Sequence, residues 1–125
     1  MPPIQLRAFV KHGGRAPAID WLKNLMKKNP NSARKMVARI QILTEQGRDL
    51  GEPHSKKMQG YDEIYELRTP GRGACRVFYF FHATFACLSH GVKKADFDDS
   101  DIELAAQNKR LVEQNWQKHT QEFEL

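Results

Sequence analysis

Apolar and polar positions between Tyr61 and Lys94 form three short β-type runs, and the rest of the chain is organised around them. The runs cover residues 64–68, 75–81 and 85–92, and each is rich in aromatic, β-branched or other apolar side chains. One proline and two glycines between the first two runs, at residues 69–73, are typical of a loop. Residues 82–84 are few enough to join neighbouring antiparallel strands. The pattern therefore predicts a three-stranded antiparallel meander.

A strand and two helices are predicted before the meander. Residues 4–10 alternate apolar and polar positions, which is typical of a half-buried strand. Pro17 suits the first position of a helix. Pro30, with Asn29 as its cap, starts a second helix that Gly47 ends. The apolar positions that recur at helical spacing in these two segments are Ala18, Leu22, Leu25, Met26, Val37, Ile40 and Leu43.

The remaining segments complete a small α+β domain. Residues 48–61 have no sustained period and hold two glycines and a proline, so we expect a loop. Residues 99–117 have an acidic start and apolar positions at three- and four-residue steps, which predicts a final helix. The predicted order is β-α-α-β-β-β-α, with the helical hairpin covering one face of the sheet. We assign residues 1–117 to a single domain and residues 118–125 to a polar, frayed tail.

Charge divides the chain into a basic body and an acidic end. Residues 1–94 carry 17 Lys and Arg against 7 Asp and Glu, a net charge of +10. Residues 95–125 carry 3 against 8, a net charge of −5. A basic body favours an anionic partner such as nucleic acid, although charge alone fits a merely soluble surface equally well. The division also suggests that the acidic end folds back over the basic surface.

Motifs of other protein classes are missing from the sequence. No apolar run approaches the roughly 20 residues of a membrane span, and the N-terminal residues lack the pattern of a signal peptide, so we expect a cytoplasmic protein without a membrane partner. Cys75 and Cys87 lie inside predicted strands without CxxC spacing, which is typical of buried apolar cysteines. Without an HExxH, P-loop or GxGxxG motif, the sequence predicts neither a metal nor a cofactor.

The many cations around the meander suit RNA cleavage without a metal ion. In this reaction the ribose 2′-hydroxyl attacks the adjacent phosphorus, which yields a 2′,3′-cyclic phosphate and a free 5′-hydroxyl. It needs a base, an acid and cations that stabilise the developing charge. Arginine binds two phosphate oxygens at once, and histidine can transfer protons near neutral pH. The candidate residues are Lys56, Lys57, Arg68, Arg76, His90, Lys93 and Lys94.

Four short motifs follow one another in and before the meander. They are Lys57-Met58-Gln59-Gly60, Tyr65-Glu66-Leu67-Arg68, Cys75-Arg76-Val77-Phe78-Tyr79 and His90-Gly91-Val92-Lys93-Lys94. In this order and at these intervals they resemble the RelE/HigB superfamily of type II toxins, and most closely its phage-derived HigB-like branch. The resemblance covers roughly residues 1–112 and includes the predicted order of helices and strands.

This resemblance implies a RelE-like fold and a small toxin that cleaves mRNA, usually in the ribosomal A site. It also implies a cognate helix-turn-helix antitoxin that neutralises the toxin. By matching positions, the resemblance implies catalytic roles for Lys57, Arg76, His90 and Lys94. It implies contacts to RNA phosphates for Lys56 and Lys93. Arg68 is a further candidate for such a contact because it lies at a strand end beside a turn, although it could instead pair with Glu66 on the same face.

Two departures from the family pattern leave a second hypothesis open. Val92 replaces the usual phenylalanine, which is a mild change. Phe97 and Ser100 occupy the region where some relatives place a catalytic tyrosine that stacks on a base, so the acid would be His90 or a lysine instead. The alternative hypothesis is a RelE-fold protein without cleavage activity that binds the ribosome, nucleic acid or an antitoxin.

The candidate residues also have structural interpretations. Arg76 could be an arginine at the edge of the core that pairs with Glu66. His90 ends an apolar strand, where structural histidines are common. Lys56 and Lys57 would ordinarily be a solvated pair in a loop.

Overall fold

The computed structural model describes residues 4–124 and forms, over that range, a mixed α+β fold with four helices and a six-stranded sheet. This confirms the predicted fold class. The strands and helices are, in chain order, β1 Gln5–Phe9, α1 Pro17–Lys28, α2 Pro30–Gln46, β2 Ser55–Lys57, β3 Tyr65–Arg68, β4 Cys75–His82, β5 Phe85–Lys93, α3 Asp99–Gln114, α4 Trp116–His119 and β6 Thr120–Glu122. Single turns of 3₁₀ helix follow α2 and β5, at Gly47–Asp49 and Lys94–Asp96.

The sheet has the order β2-β3-β4-β5-β1-β6. Strands β3, β4 and β5 form the predicted antiparallel meander, and β1 lies parallel to β5. The register places Arg68 opposite Arg76 on neighbouring strands. A β-bulge interrupts the pairing of β4 and β5, because His90 pairs with Phe78 whereas Leu88 pairs with Tyr79. Ser89 is the extra residue of this bulge.

The hairpin of α1 and α2 covers one face of the sheet, as predicted. Both helices begin at a proline, and the Asn29 side chain accepts a hydrogen bond of 3.3 Å from the Ser32 amide at the start of α2. The buried side of the hairpin packs against alternate residues of the central strands. This core includes Leu22, Leu25, Met36, Ile40 and Leu43 from the helices, and Val77, Tyr79, Phe81 and Leu88 from the sheet.

Helix α3 covers part of the opposite face, where Ala105 and Val112 pack with Phe78, Phe80 and Cys87. Strands β4 and β5 are therefore buried on both sides, which explains why they read as nearly continuous apolar runs. Both cysteines are free and buried, Cys75 in the core under the hairpin and Cys87 in the core under α3. The prediction of buried cysteines is confirmed.

Two segments differ from the prediction. Residues 48–61 are not only a loop, because β2 lies within them and pairs with β3. The prediction of a frayed end is also wrong, because α3 stops at Gln114 and β6 pairs with β1. Both missed strands are three residues long and mostly polar, so they carry no usable alternation of apolar and polar positions.

The position of β6 also corrects the idea that the acidic end folds over the basic surface. Strand β6 lies at the edge of the sheet opposite to β2, beyond β1. The division into residues 1–117 and 118–125 remains a prediction. Among the described residues, no helix has both the length and the apolar content needed to cross a membrane.

The loop between β3 and β4 is fastened to the start of α2. The Ser32 hydroxyl donates a hydrogen bond of 3.1 Å to the Gly73 carbonyl. Gly73 has a φ of 69°, and a Cβ atom at this position would lie 2.5 Å from Ser32 Oγ. Glycine is therefore required here by the backbone conformation and by the close approach of the helix.

We expect Gly73→Ala to lower the free energy of unfolding more than Gly71→Ala does. Gly71 also has a positive φ, 79°, but the nearest atom to an added Cβ is Lys35 Nζ at 3.9 Å. Both variants lose about 1 kcal/mol or more through backbone strain, and Gly73→Ala loses about 1 kcal/mol more because Ser32 must move. Urea unfolding of the two variants measures the difference. Equal losses would contradict the close packing of the loop on α2.

Candidate functional site

Four cations from different parts of the fold line one groove where β3 ends and β4 begins. Arg39 comes from α2, Arg68 from β3, Arg76 from β4, and Lys94 directly follows β5. The groove has a volume of about 420 Å³. Its other lining residues are Pro53, Thr69, Pro70, Gly71 and Ala74, so no carboxylate of the described residues lines it. We call it the cation groove.

Glu66 holds two of these cations from behind the groove. Its Oε1 lies 3.4 Å from Nε of Arg68 and 3.5 Å from Nε of Arg76. Strand alternation explains the arrangement, since Glu66 and Arg68 point to the same face and Arg76 lies opposite Arg68. The shared carboxylate offsets the repulsion between the two guanidinium groups.

Burial affects the two partners of this ion pair in opposite directions. The side chains of Glu66 and Arg76 are only 7% and 8% exposed. Burial raises the pKa of Glu66, and the charges of Arg76, Arg68 and Lys56 oppose this effect. Burial lowers the pKa of Arg76, and Glu66 opposes that change. Because arginine keeps its proton in proteins, Arg76 presents a fixed positive charge to the groove.

Arg39 was not among the residues predicted from sequence. Its Nε donates a hydrogen bond of 3.1 Å to the Arg68 carbonyl, and its Nη1 lies 2.6 Å from Nδ1 of His54. Since arginine can only donate, His54 Nδ1 is the acceptor and the neutral ring carries its proton on Nε2. Arg39 thus ties α2 to the edge of the sheet. In the sequence, Arg39 is marked only as a cation outside the apolar stripe of α2. Many solvated residues have the same property, so this signal does not single it out.

The predicted lysines lie on different sides of the sheet. Lys56 pairs with Glu66 and Lys57 with Tyr65, so adjacent side chains point to opposite faces. Lys56 is on the face of Glu66, and Lys57 is on the face of the helical hairpin. Lys93 pairs with Cys75 and also points to the hairpin side, where it lines a separate cavity. The structure therefore brings Lys94 together with Arg68 and Arg76, but not Lys57 or Lys93.

His90 is buried beneath α3 and does not line the cation groove. Its Nδ1 lies 2.9 Å from the hydroxyl of Ser89 in the β-bulge, and Asn108 of α3 donates a bond of 2.9 Å to that hydroxyl. Its Nε2 lies 3.5 Å from Oδ1 of Asp101 and has no hydrogen-bond partner among the described residues. Burial lowers the pKa of His90 and Asp101 opposes the change, so the ring is neutral at neutral pH.

Phe97 and Ser100 have structural roles. The ring of Phe97 stacks on Phe78 at 5.7 Å between centroids. The Ser100 amide donates a hydrogen bond of 2.8 Å to Asp98 Oδ1 at the start of α3. Neither Phe97 nor Ser100 lines the cation groove. In the described part of the chain, no group of three or more His, Cys, Asp or Glu is arranged to hold a metal ion.

This arrangement suits a phosphate group. Three guanidinium groups and one ammonium group converge without a lining carboxylate, and arginine matches pairs of phosphate oxygens. Arg39, Arg68 and Arg76 are held by contacts within the protein, so little side-chain freedom is lost when an anion binds. The groove is thus organised in advance for a negatively charged ligand.

Residues 20–110 match the family model described as "Phage derived protein Gp49-like (DUF891)". The matched range contains the whole predicted set of site residues as well as Arg39. None of the curated proteins matches this chain.

We expect the stability of the protein to fall as pH falls through the range that begins near 6.5, and His90 to cause part of this loss. Its folded pKa is lower than its unfolded value, so the unfolded state binds the proton first. The stabilisation is therefore present above about 6.5 and is lost as pH falls through the folded pKa, with a slope of at most about 1.4 kcal/mol per pH unit for one proton. Urea unfolding at a series of pH values measures this slope.

The variant His90→Gln should show a flatter dependence of unfolding free energy on pH than the wild type. His12→Gln is the comparison variant, because it removes an exposed histidine whose ring contacts His119 and not His90. An unchanged slope in His90→Gln would mean that His90 does not titrate differently in the folded and unfolded states.

Proposed function

The chain belongs to the Gp49-like family of phage-derived proteins, and from this premise we propose that it is a toxin that cleaves mRNA on the ribosome. The family is toxin-like and related to the RelE-like toxins of toxin–antitoxin systems, so membership implies an antitoxin partner. We further propose that the chain lies in the HigB-like branch, that its antitoxin is a helix-turn-helix protein and that it acts in the cytoplasm on translating ribosomes.

The cation groove is the observation that carries this proposal. An RNA phosphate placed there would meet Arg39, Arg68, Arg76 and Lys94. Both sheet arginines approach Glu66 through Nε, and the terminal nitrogen Nη2 of each has no hydrogen-bond acceptor among the described residues. Nη2 of each is thus available for phosphate oxygens. Positive charge held in this way stabilises the dianionic phosphorane more than the ground-state phosphate, which is the requirement for catalysis.

The proposed reaction is an internal transfer at phosphorus. The 2′-oxygen forms a bond to phosphorus and loses its proton to a base, the bond from phosphorus to the 5′-oxygen breaks, and that oxygen takes a proton from an acid. Lys94 is exposed and lines the groove, and its ammonium group carries a proton that it can donate. We assign Lys94 the role of proton donor to the leaving 5′-oxygen.

Other predicted residues have less support from the geometry. Lys57 and His90 remain candidates for catalysis, although neither lines the groove. Lys56 is on the face of Glu66 and is proposed as an RNA contact at the edge of the sheet. Mapping of mRNA 5′ ends in cells that express Lys57→Ala, His90→Gln or Lys56→Ala tests each of these roles.

Mapping of mRNA 5′ ends before and after induced expression tests the proposed function. The wild type should create new ends within translated codons, and Arg76→Gln and Lys94→Ala should remove them because each takes a positive charge from the groove. Arg76→Gln keeps a polar group beside the buried Glu66, and Lys94→Ala changes an exposed residue. Lys118→Ala is the control, since it removes an exposed lysine outside the groove.

Growth arrest without new 5′ ends would contradict cleavage and favour the alternative function, a non-cleaving protein that binds the ribosome, nucleic acid or the antitoxin. New ends that persist in folded Arg76→Gln and Lys94→Ala would show that cleavage occurs elsewhere on the protein.

Replacement of Lys94 by arginine separates proton transfer from charge. Arginine keeps the positive charge but does not release its proton in proteins. We expect Lys94→Arg to bind RNA like the wild type and to lose cleavage by about 100-fold or more, the usual size of a general acid contribution. The measurements are binding of an uncleavable 2′-deoxy oligonucleotide and the amount of cleaved mRNA. Wild-type cleavage by Lys94→Arg would limit Lys94 to electrostatic stabilisation.

A further inference from the structure

We infer that the bound RNA strand continues from the cation groove past Lys94 onto the hairpin side of the sheet, where Trp21 and Lys28 hold a neighbouring nucleotide. This inference deepens the proposed function, because it takes the scissile phosphate to be in the cation groove. The new site includes residues of α1, none of which was predicted from the sequence to bind RNA.

Shared lining residues show that the path is continuous. A cavity of about 450 Å³ borders the cation groove and shares Gly71, Ala74 and Lys94 with it. A third cavity, of about 210 Å³, shares Leu25, Asn29 and Lys93 with the cavity of about 450 Å³. The third cavity is completed by Trp21, Asn24 and Lys28. The path therefore passes around the end of the sheet, from the face of Arg76 to the face of the helical hairpin.

Charge along this path has one sign. The cations that line it are Arg39, Arg68, Arg76, Lys94, Lys93 and Lys28, and no carboxylate of the described residues lines any of the three cavities. No described carboxylate forms an ion pair with Lys28, Lys93 or Lys94. A row of cations without acids suits a partner whose negative charges repeat at regular intervals, as phosphates do along a single strand.

Trp21 distinguishes a nucleic-acid strand from an acidic peptide as the occupant. Its half-buried indole lies against the backbone of Gly91, and a Cβ atom at Gly91 would overlap the six-membered ring. Glycine at this position thus lets the ring pack closely on β5 and holds it in place. An aromatic ring fixed beside Lys28 and Lys93 gives a base a surface to stack on and its phosphate two cations. Asn24 and Asn29 add amide groups that can bond to base edges.

Fluorescence of Trp21 reports directly on this site. The chain has 2 tryptophans, and the other, Trp116, packs on Phe85 and Arg7 outside the path. In a Trp116→Phe background, a 2′-deoxy hexanucleotide should quench the remaining tryptophan, since stacked bases quench indole emission. The oligonucleotide lacks the attacking 2′-hydroxyl, so it is not cleaved during the titration. A dinucleotide, which is too short to fill both sites, should bind more weakly.

Two lysines of α1 provide a matched pair of variants. Lys28 lines the path and Lys27 does not, and both are exposed on the same helix. Lys28→Ala should weaken binding of the hexanucleotide several-fold and lower the slope of log Kd against log salt by about 0.7, the value for one phosphate contact on a single strand. Lys27→Ala should leave both the affinity and the slope unchanged.

The outcomes separate this inference from the proposed function. Absence of quenching, equal effects of Lys27→Ala and Lys28→Ala, or quenching by an acidic peptide but not by the oligonucleotide would each overturn the inference. New mRNA ends in cells without quenching would leave cleavage standing and reject the strand path alone. Quenching by a protein that creates no new ends would reject cleavage and support a nucleic-acid site along the path.

Discussion

Burial of β4 on both faces determines where this protein can place charged groups. Its alternate side chains pack under the helical hairpin and under α3, so the middle of the strand must be apolar. The one cation of the strand, Arg76, is its second residue, and its buried side chain pairs there with Glu66. Strands β3 and β5 end beside the start of β4, so Arg68 and Lys94 also line the groove. The groove is thus a consequence of how the layers cover the sheet.

The ion cluster behind the groove adds a second constraint. A buried carboxylate is costly unless cations surround it, and Glu66 meets this requirement through Arg68 and Arg76. In return, Glu66 draws both guanidinium groups to one side of the sheet, which limits the positions that these long side chains can take. The structural interpretation of Arg76 as a partner of Glu66 is therefore confirmed, and it is compatible with a role in phosphate binding. A single carboxylate can stabilise the fold and prepare the site together.

The sequence predicted those features that depend on local pattern. The caps and apolar stripes of α1 and α2 and the three runs of the meander were sufficient for the fold class. Features that depend on strand register or on contacts between distant residues could not be predicted from the sequence. Lys56 and Lys57 differ only by one position in β2, a strand too short to show alternation, yet they point to opposite faces. Arg39 reaches the groove only because α2 packs beside the edge of the sheet.

The acidic residues after β5 explain why the groove keeps its positive charge. Asp98 accepts hydrogen bonds from the start of α3, which lowers its pKa, and Asp101 accepts the Asp98 amide and lies beside His90. These carboxylates serve the helix N-terminus, where negative charge is favourable, and do not line the cavities on either side of Lys94. Because Asp98 and Asp101 cap α3, they lie outside the cation groove although they are close in sequence to Lys93 and Lys94. The charge division along the chain becomes a division in space, which leaves the cations available for an anionic strand.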